Sequence, residues 1–226
     1  MAEKLDLEEH GIFIRFSEEN LLQGYALIIG PPKTPYENCV MCFNILIPCE
    51  YPFEPPSVTY VSTSRARIHP NLYVGRSHQN YQGKVCLSVI NTWSGPKWSS
   101  VMTVASVMLS LQSLLDENPL RNEPGYETHK GPQNEVYNMV VEHDMIKQGY
   151  LSVFQEIRGK GQEETSGIFP FMLFKDVLEA HFAKTWETMG LRVNSLLETY
   201  PNKMECKVGV YRMTEHIDYV KLKEMY

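Results

Sequence analysis

The apolar residues of this chain change their period once, across the stretch from His69 to Trp98, and that change limits the fold to one class. Upstream, they come in runs of strand length: Ile12–Phe16, Tyr25–Ile29 and Val40–Ile47, broken by Ser-Glu-Glu-Asn and by Gly-Pro-Pro-Lys-Thr-Pro-Tyr-Glu-Asn. A fourth run, Val58–Val61, follows Tyr51-Pro52-Phe53-Glu54-Pro55-Pro56. The prolines of that segment remove backbone donors and fix φ, so it is read as a loop. An antiparallel meander of four strands is predicted. Residues 3–9 are long enough for one or two helical turns at most.

Downstream the spacing is helical. Val101, Val104, Val107, Met108, Leu111, Leu114 and Leu115 form one stripe, read as core, on a helix that ends before Asn118-Pro119. A second helix is expected from Gln133 to Ile157, burying Val136, Met139, Val140, His143, Ile146 and Tyr150. A Gly- and Glu-rich break then leads to a third amphipathic helix near Pro170–Tyr200, and Tyr211–Tyr226 reads as a helix or a fringe. The expected fold is α+β. A short segment, 1–10, precedes a core domain, 11–158, and a helical extension, 159–226. At 226 residues and 43% hydrophobic, the chain can bury a sizeable core.

A formal net charge of −6 argues against a nucleic-acid or anionic-membrane surface, which needs clustered Lys and Arg, and points to protein partners. The five cysteines are an odd set in a chain with no secretory leader and no apolar run of membrane-spanning length. That usage suits a reducing compartment, cytosol or nucleus. Cys39 and Cys42 form C-x-x-C, but positions three apart on a strand face opposite ways and cannot share a metal. The histidines at 10, 78, 129, 143, 181 and 216 have no ligand spacing and read as structural. No metal and no cofactor is expected. Cys86 follows Gly83-Lys84, a turn expected to leave its sulfur exposed as a nucleophile.

Thr-Pro-Tyr-Glu-Asn, Tyr-Pro-Phe-Glu-Pro-Pro, His69-Pro70-Asn71, Gly-Lys-Val-Cys-Leu-Ser and a tryptophan beyond the cysteine occur in one order. Over about residues 11–125 that order resembles the ubiquitin-conjugating enzymes. The stretches Cys-Leu-Ser-Val-Ile-Asn-Thr-Trp-Ser-Gly-Pro-Lys-Trp and Ser-Leu-Leu-Asp-Glu-Asn-Pro-Leu-Arg-Asn-Glu-Pro-Gly-Tyr-Glu are most similar to a subgroup with a C-terminal extension. Its members are charged by the second of the two ubiquitin-activating enzymes, and some also carry a tandem ubiquitin-like modifier.

The resemblance implies that Cys86 accepts ubiquitin or a ubiquitin-like modifier as a thioester. The modifier would come from an ATP-using activating enzyme and pass to a lysine or a ligase. It makes Asn71 an oxyanion donor or a brace of the active-site loop, and His69 and Pro70, with Trp98, a scaffold for that loop. It places Asn118 and Glu123 in the loop that gates or activates the incoming amine, and Phe53 on the ligase-docking loop. The family's first helix is largely absent before Gly11. Asn71 and Cys86 stand 15 positions apart, about twice the common spacing, and the added polar residues 74–81 are expected to loop outward. Ser99-Ser100 stands where common members carry Ser-Pro. Two other classes are weighed: a catalytically impaired ubiquitin-binding scaffold, and a cysteine hydrolase pairing His69 with Cys86.

Overall fold

The computed structural model describes residues 6–61, 64, 66–74, 83–129, 131–159 and 169–226. Four strands, β1 (Ile12–Phe16), β2 (Gln23–Ile29), β3 (Val40–Leu46) and β4 (Ser57–Val61), form one antiparallel sheet in the order β1-β2-β3-β4. The register aligns Ile14, Ala26, Phe43 and Tyr60 across all four strands. Ala26, Leu27 and Ile28 are consecutive and all fully buried, so the middle of the sheet is covered on both faces. Cys39 and Cys42 are both free and buried. The described part of the N-terminal segment forms a turn, Leu7 to Gly11, and residues 1–5 lie outside the described residues.

Helix α1 spans Val104–Leu114 and begins at Thr103, whose hydroxyl accepts from the Ser106 amide while the Ser106 hydroxyl accepts from the Thr103 amide. That capping box starts the helix three residues after Val101. Val101 therefore lies outside the helix and is 85% exposed, not core as its spacing suggested. The second helical run begins as α2 (Pro132–Ile146), passes through a π turn at Lys147–Ser152, and ends as α3 (Val153–Ile157). Gly149 sits in the π turn because the backbone there passes close to β3: a Cβ would stand 3.0 Å from the Val40 carbonyl.

The extension begins with one turn, α4 (Phe169–Met172), and the long helix α5 (Lys175–Thr199). A hairpin of β5 (Met204–Val208) and β6 (Met213–Ile217) follows, then α6 (Tyr219–Met225). The segment Tyr211–Tyr226, read as a helix or a fringe, thus holds a strand and a helix, and β5 was not among the expected strands. Its strands are short and exposed on alternate residues, and they pack on α2.

The extension is fastened to the core at several points. Arg15, pointing away from the Ile12–Ile14 face of β1, donates to the Leu173 carbonyl and to Asp176 at 2.7 Å. His181 Nε2 is 2.8 Å from the Asn38 carbonyl. Arg192 bonds Glu142 of α2 at 2.6 and 2.9 Å and the Glu37 carbonyl at 2.9 Å. One continuous hydrophobic cluster includes Ile45, Val107 and Val140 together with Phe174, Phe182, Tyr219 and Leu222.

Candidate active site

The site is built on a short ladder beside β4. Tyr60 N donates to the Gly83 carbonyl at 2.7 Å, Gly83 N to Tyr73 O at 3.1 Å, Tyr73 N to Lys84 O at 2.9 Å, and Cys86 N to Asn71 O at 2.8 Å. Gly83 has φ +73°, and a Cβ there would collide with the Tyr60 carbonyl, so the position takes glycine. This ladder answers the spacing question: whatever the length between them, Tyr73 and Gly83 meet, and Asn71 is brought against Cys86. The insertion expected to loop outward is described only at Val74, since residues 75–82 lie outside the described residues.

Asn71 is 8% exposed, and its Nδ2 donates to the Cys86 carbonyl at 2.7 Å. Its buried Oδ1 has no hydrogen-bond partner among the described residues. Of the two roles weighed for Asn71, the bond to the Cys86 backbone is the contact a brace makes, and it uses one of the two Nδ2 hydrogens. His69 is fully buried; its Nδ1 accepts from the Asn71 amide at 3.0 Å, and its Nε2 is 3.0 Å from the Leu114 carbonyl at the end of α1. Burial pushes its pKa down to about 3, so the ring is neutral. With both nitrogens engaged in the scaffold, it is no general base for Cys86. Pro70, also buried, accepts from Arg67 through its carbonyl.

Cys86 is only 3% exposed, which corrects the exposed sulfur expected after the Gly83-Lys84 turn. It is nonetheless outside the hydrophobic cluster. Burial raises the thiol pKa, while the charges of Lys84 and Arg67 and a hydrogen bond with Tyr73 oppose that rise. Beyond it, Leu87 and a 3-10 turn at Ser88–Ile90 are closed by the Thr92 hydroxyl, which accepts from Leu87 N at 2.9 Å and donates to Val85 O at 2.7 Å.

Trp98 stands between this turn and the proline loop. Its amide donates to Asn91 Oδ1 at 3.1 Å and its Nε1 to the Pro52 carbonyl at 2.8 Å, with its ring 5.9 Å from that of Tyr51. It therefore braces the loop carrying Phe53 as well as the turn after Cys86. Phe53 is 81% exposed on that loop, which includes a cis Tyr51–Pro52 bond.

Asn118 precedes a 3-10 turn at Pro119–Asn122, with its amide donating to Asp116 Oδ1 at 2.7 Å. Asn122 Nδ2 donates to the other oxygen of Asp116 at 3.1 Å. Glu123 is engaged from the extension: it accepts from the Tyr211 hydroxyl at 2.8 Å. The residues that sequence reasoning passed over here are Arg67, Tyr73 and Tyr211. Arg67 and Tyr73 flank His69-Pro70-Asn71 at alternating positions, which was a usable signal; Tyr211 had none.

Among the described residues no group of three or more His, Cys, Asp or Glu could hold a metal ion, and no helix is long and apolar enough to cross a membrane.

Residues 2–144, more than half of the chain, match the family described as ubiquitin-conjugating enzyme. The chain is 37% identical over 153 residues to ubiquitin-conjugating enzyme E2 Z of Danio rerio, covering 66% of this chain and 44% of the relative. It is 39% identical over 153 residues to E2 Z of Homo sapiens, covering 66% of this chain and 40% of the relative. A longer match, 34% over 180 residues, covers 76% of this chain and 3% of the human dual E2 ubiquitin-conjugating enzyme/E3 ubiquitin-protein ligase BIRC6. The chain thus spans less than half the length of these curated relatives.

Proposed function

The chain belongs to the ubiquitin-conjugating enzyme family, and from that premise we propose that it takes ubiquitin, or a ubiquitin-like modifier, from an activating enzyme as a thioester on Cys86 and passes it to a lysine or a ligase. Cys86 as thiolate attacks the carbonyl carbon of the thioester on the activating enzyme. The new S–C bond forms as the old one breaks, and the activating enzyme's sulfur leaves as thiolate. In discharge, a lysine amine attacks the same carbon, gives up its proton to water or a nearby base, and expels the Cys86 thiolate.

The observation that carries this proposal is the setting of Cys86. Among the buried cysteines, it alone has two cations and a hydroxyl opposing the effect of burial, whereas Cys39 and Cys42 are pushed up to about 12. Phe53, exposed on a loop braced by proline and Trp98, suits transient docking of a ligase, because an aromatic anchor loses little rotamer freedom on contact.

The burial of the Cys86 sulfur favours a second reading, the catalytically impaired scaffold. Charging separates the two. The protein is incubated with ATP, modifier and each ubiquitin-activating enzyme, and run on gels with and without reductant. A reductant-sensitive adduct absent from Cys86→Ala, and a reductant-resistant ester on Cys86→Ser, are expected. No adduct with any pair, or a labile adduct on Cys86→Ser, overturns the carrier assignment.

A further inference from the structure

Tyr211 lies far along the chain from Cys86, in the turn between β5 and β6, yet it lines one cavity with Tyr73, which is hydrogen-bonded to the Cys86 thiol. A cavity of about 420 Å³ there is lined by Arg67, Tyr73 and Val74 on one side and by Val210 to Glu215 of the hairpin on the other. The Arg67 guanidinium carbon stands 3.9 Å from the centre of the Tyr73 ring and 4.6 Å from that of Tyr211. One terminal nitrogen of Arg67 donates to the Pro70 carbonyl, while its buried Nε has no hydrogen-bond partner among the described residues. The two rings flank the guanidinium.

Tyr211 is itself fixed. Its hydroxyl donates to Glu123 at 2.8 Å, and its ring lies 5.5 Å from that of Tyr137, whose hydroxyl donates to the Arg67 carbonyl at 2.8 Å. Tyr73, on the other side of Arg67, is hydrogen-bonded to the Cys86 thiol. A planar, permanently charged guanidinium stacks on aromatic faces at little cost in hydration, where a free arginine would swing into water. A positive charge fixed near a thiol favours the thiolate, both as attacking group and as leaving group.

We propose that Tyr211 is a positioning residue of this active site: it clamps Arg67 against Tyr73 beside Cys86, so that the C-terminal hairpin sets how readily the thiol reacts. This rests on the assignment of Cys86 as the thioester carrier. Among the described residues, the titratable and charged groups facing the thiol are Lys84, Arg67 and Tyr73; those around the clamp are Tyr137, Glu123, Arg212 and Glu215.

Alkylation of Cys86 by iodoacetamide, followed by peptide mass spectrometry on the full chain from about pH 6 to 10, tests the clamp without any modifier present. Tyr211→Leu should move the rate profile to higher pH and slow alkylation at neutral pH about 3- to 10-fold. Arg67→Met should do the same, and Tyr211→Phe, which keeps the ring, should recover most of the rate. An unchanged profile in a folded Tyr211→Leu protein overturns the proposal, as does a Tyr211→Phe protein as slow as Tyr211→Leu. Should Tyr211→Leu fail to fold, an unchanged profile in Arg67→Met overturns it equally. A chain that alkylates as expected but never charges defeats the carrier assignment and leaves the clamp standing.

Discussion

Asn71 is tied through its side chain to the backbone of the loop that carries Cys86. Its amide holds the Cys86 carbonyl at 2.7 Å, so Asn71→Ala should cost about 1 kcal/mol. That loss corresponds to a fall of about 2–4 °C in melting temperature for a chain of this size. Because the brace shapes the loop before and after charging, single-turnover charging and lysine discharge should slow by similar factors. A selective loss of discharge would return Asn71 to the oxyanion role. Asp144 offers a separate test. Burial raises its carboxyl to about 7, with the Ser64 side chain and Lys147 pulling down and Glu215 pushing up, and one oxygen has no hydrogen-bond partner. Between about pH 4 and 7 the folded carboxyl keeps a proton that the unfolded chain has released, so its contribution to stability falls as pH rises through that window. Asp144→Asn removes that loss, and its melting temperature relative to the parent should rise more at pH 8 than at pH 5. His69 and His143 act in the opposite sense, since burial lowers them to about 3 and about 4: they stay neutral in the fold while the unfolded chain gains protons below about 6.5. Comparing variant with parent cancels their contribution.

Helix α5 is joined to the rest through Arg192. Its guanidinium reaches Glu142 on α2 and the carbonyl of Glu37 together, with both ionic side chains mostly buried. Arg192→Met strands a carboxylate and a carbonyl and should cost about 2–3 kcal/mol in denaturant unfolding. Arg192→Lys should recover little of it, because an ammonium cannot reproduce the planar fork. A lysine variant as stable as the parent would show that charge alone, and not the shape of the group, joins these elements.

The extension is part of the hydrophobic core of the whole molecule. Phe174, Phe182, Tyr219 and Leu222 are buried in the same cluster as the sheet and α1, and α6 returns to α5, where the Tyr226 ring stacks 4.2 Å from that of Trp186. A chain ending at residue 158 exposes that surface and leaves Glu142 and His143 without Arg192 and the Asp218 amide. Such a fragment should lose cooperative thermal unfolding and bind a hydrophobic dye at ambient temperature. Cooperative melting within a few degrees of the full chain would make the extension an accessory on a self-sufficient core.

The sequence by itself determined the four strands and the two long helices, because burying one face of a strand or helix imposes a period that is written locally. Ile12–Phe16 was legible to the residue, and the motifs around Cys86 carried the resemblance to the family that the chain belongs to. Other features depend on partners distant in the chain. The hairpin of β5 and β6 is a strand pair with exposed alternate residues, formed where α2 offers a surface. Only the tertiary structure decided that Cys86 is buried, that Asn71 Nδ2 donates to the Cys86 carbonyl, and that Glu123 accepts from Tyr211. Each is a hydrogen bond or a burial settled by which segments meet, and the arginine between two tyrosines exists only once the C-terminal hairpin has docked.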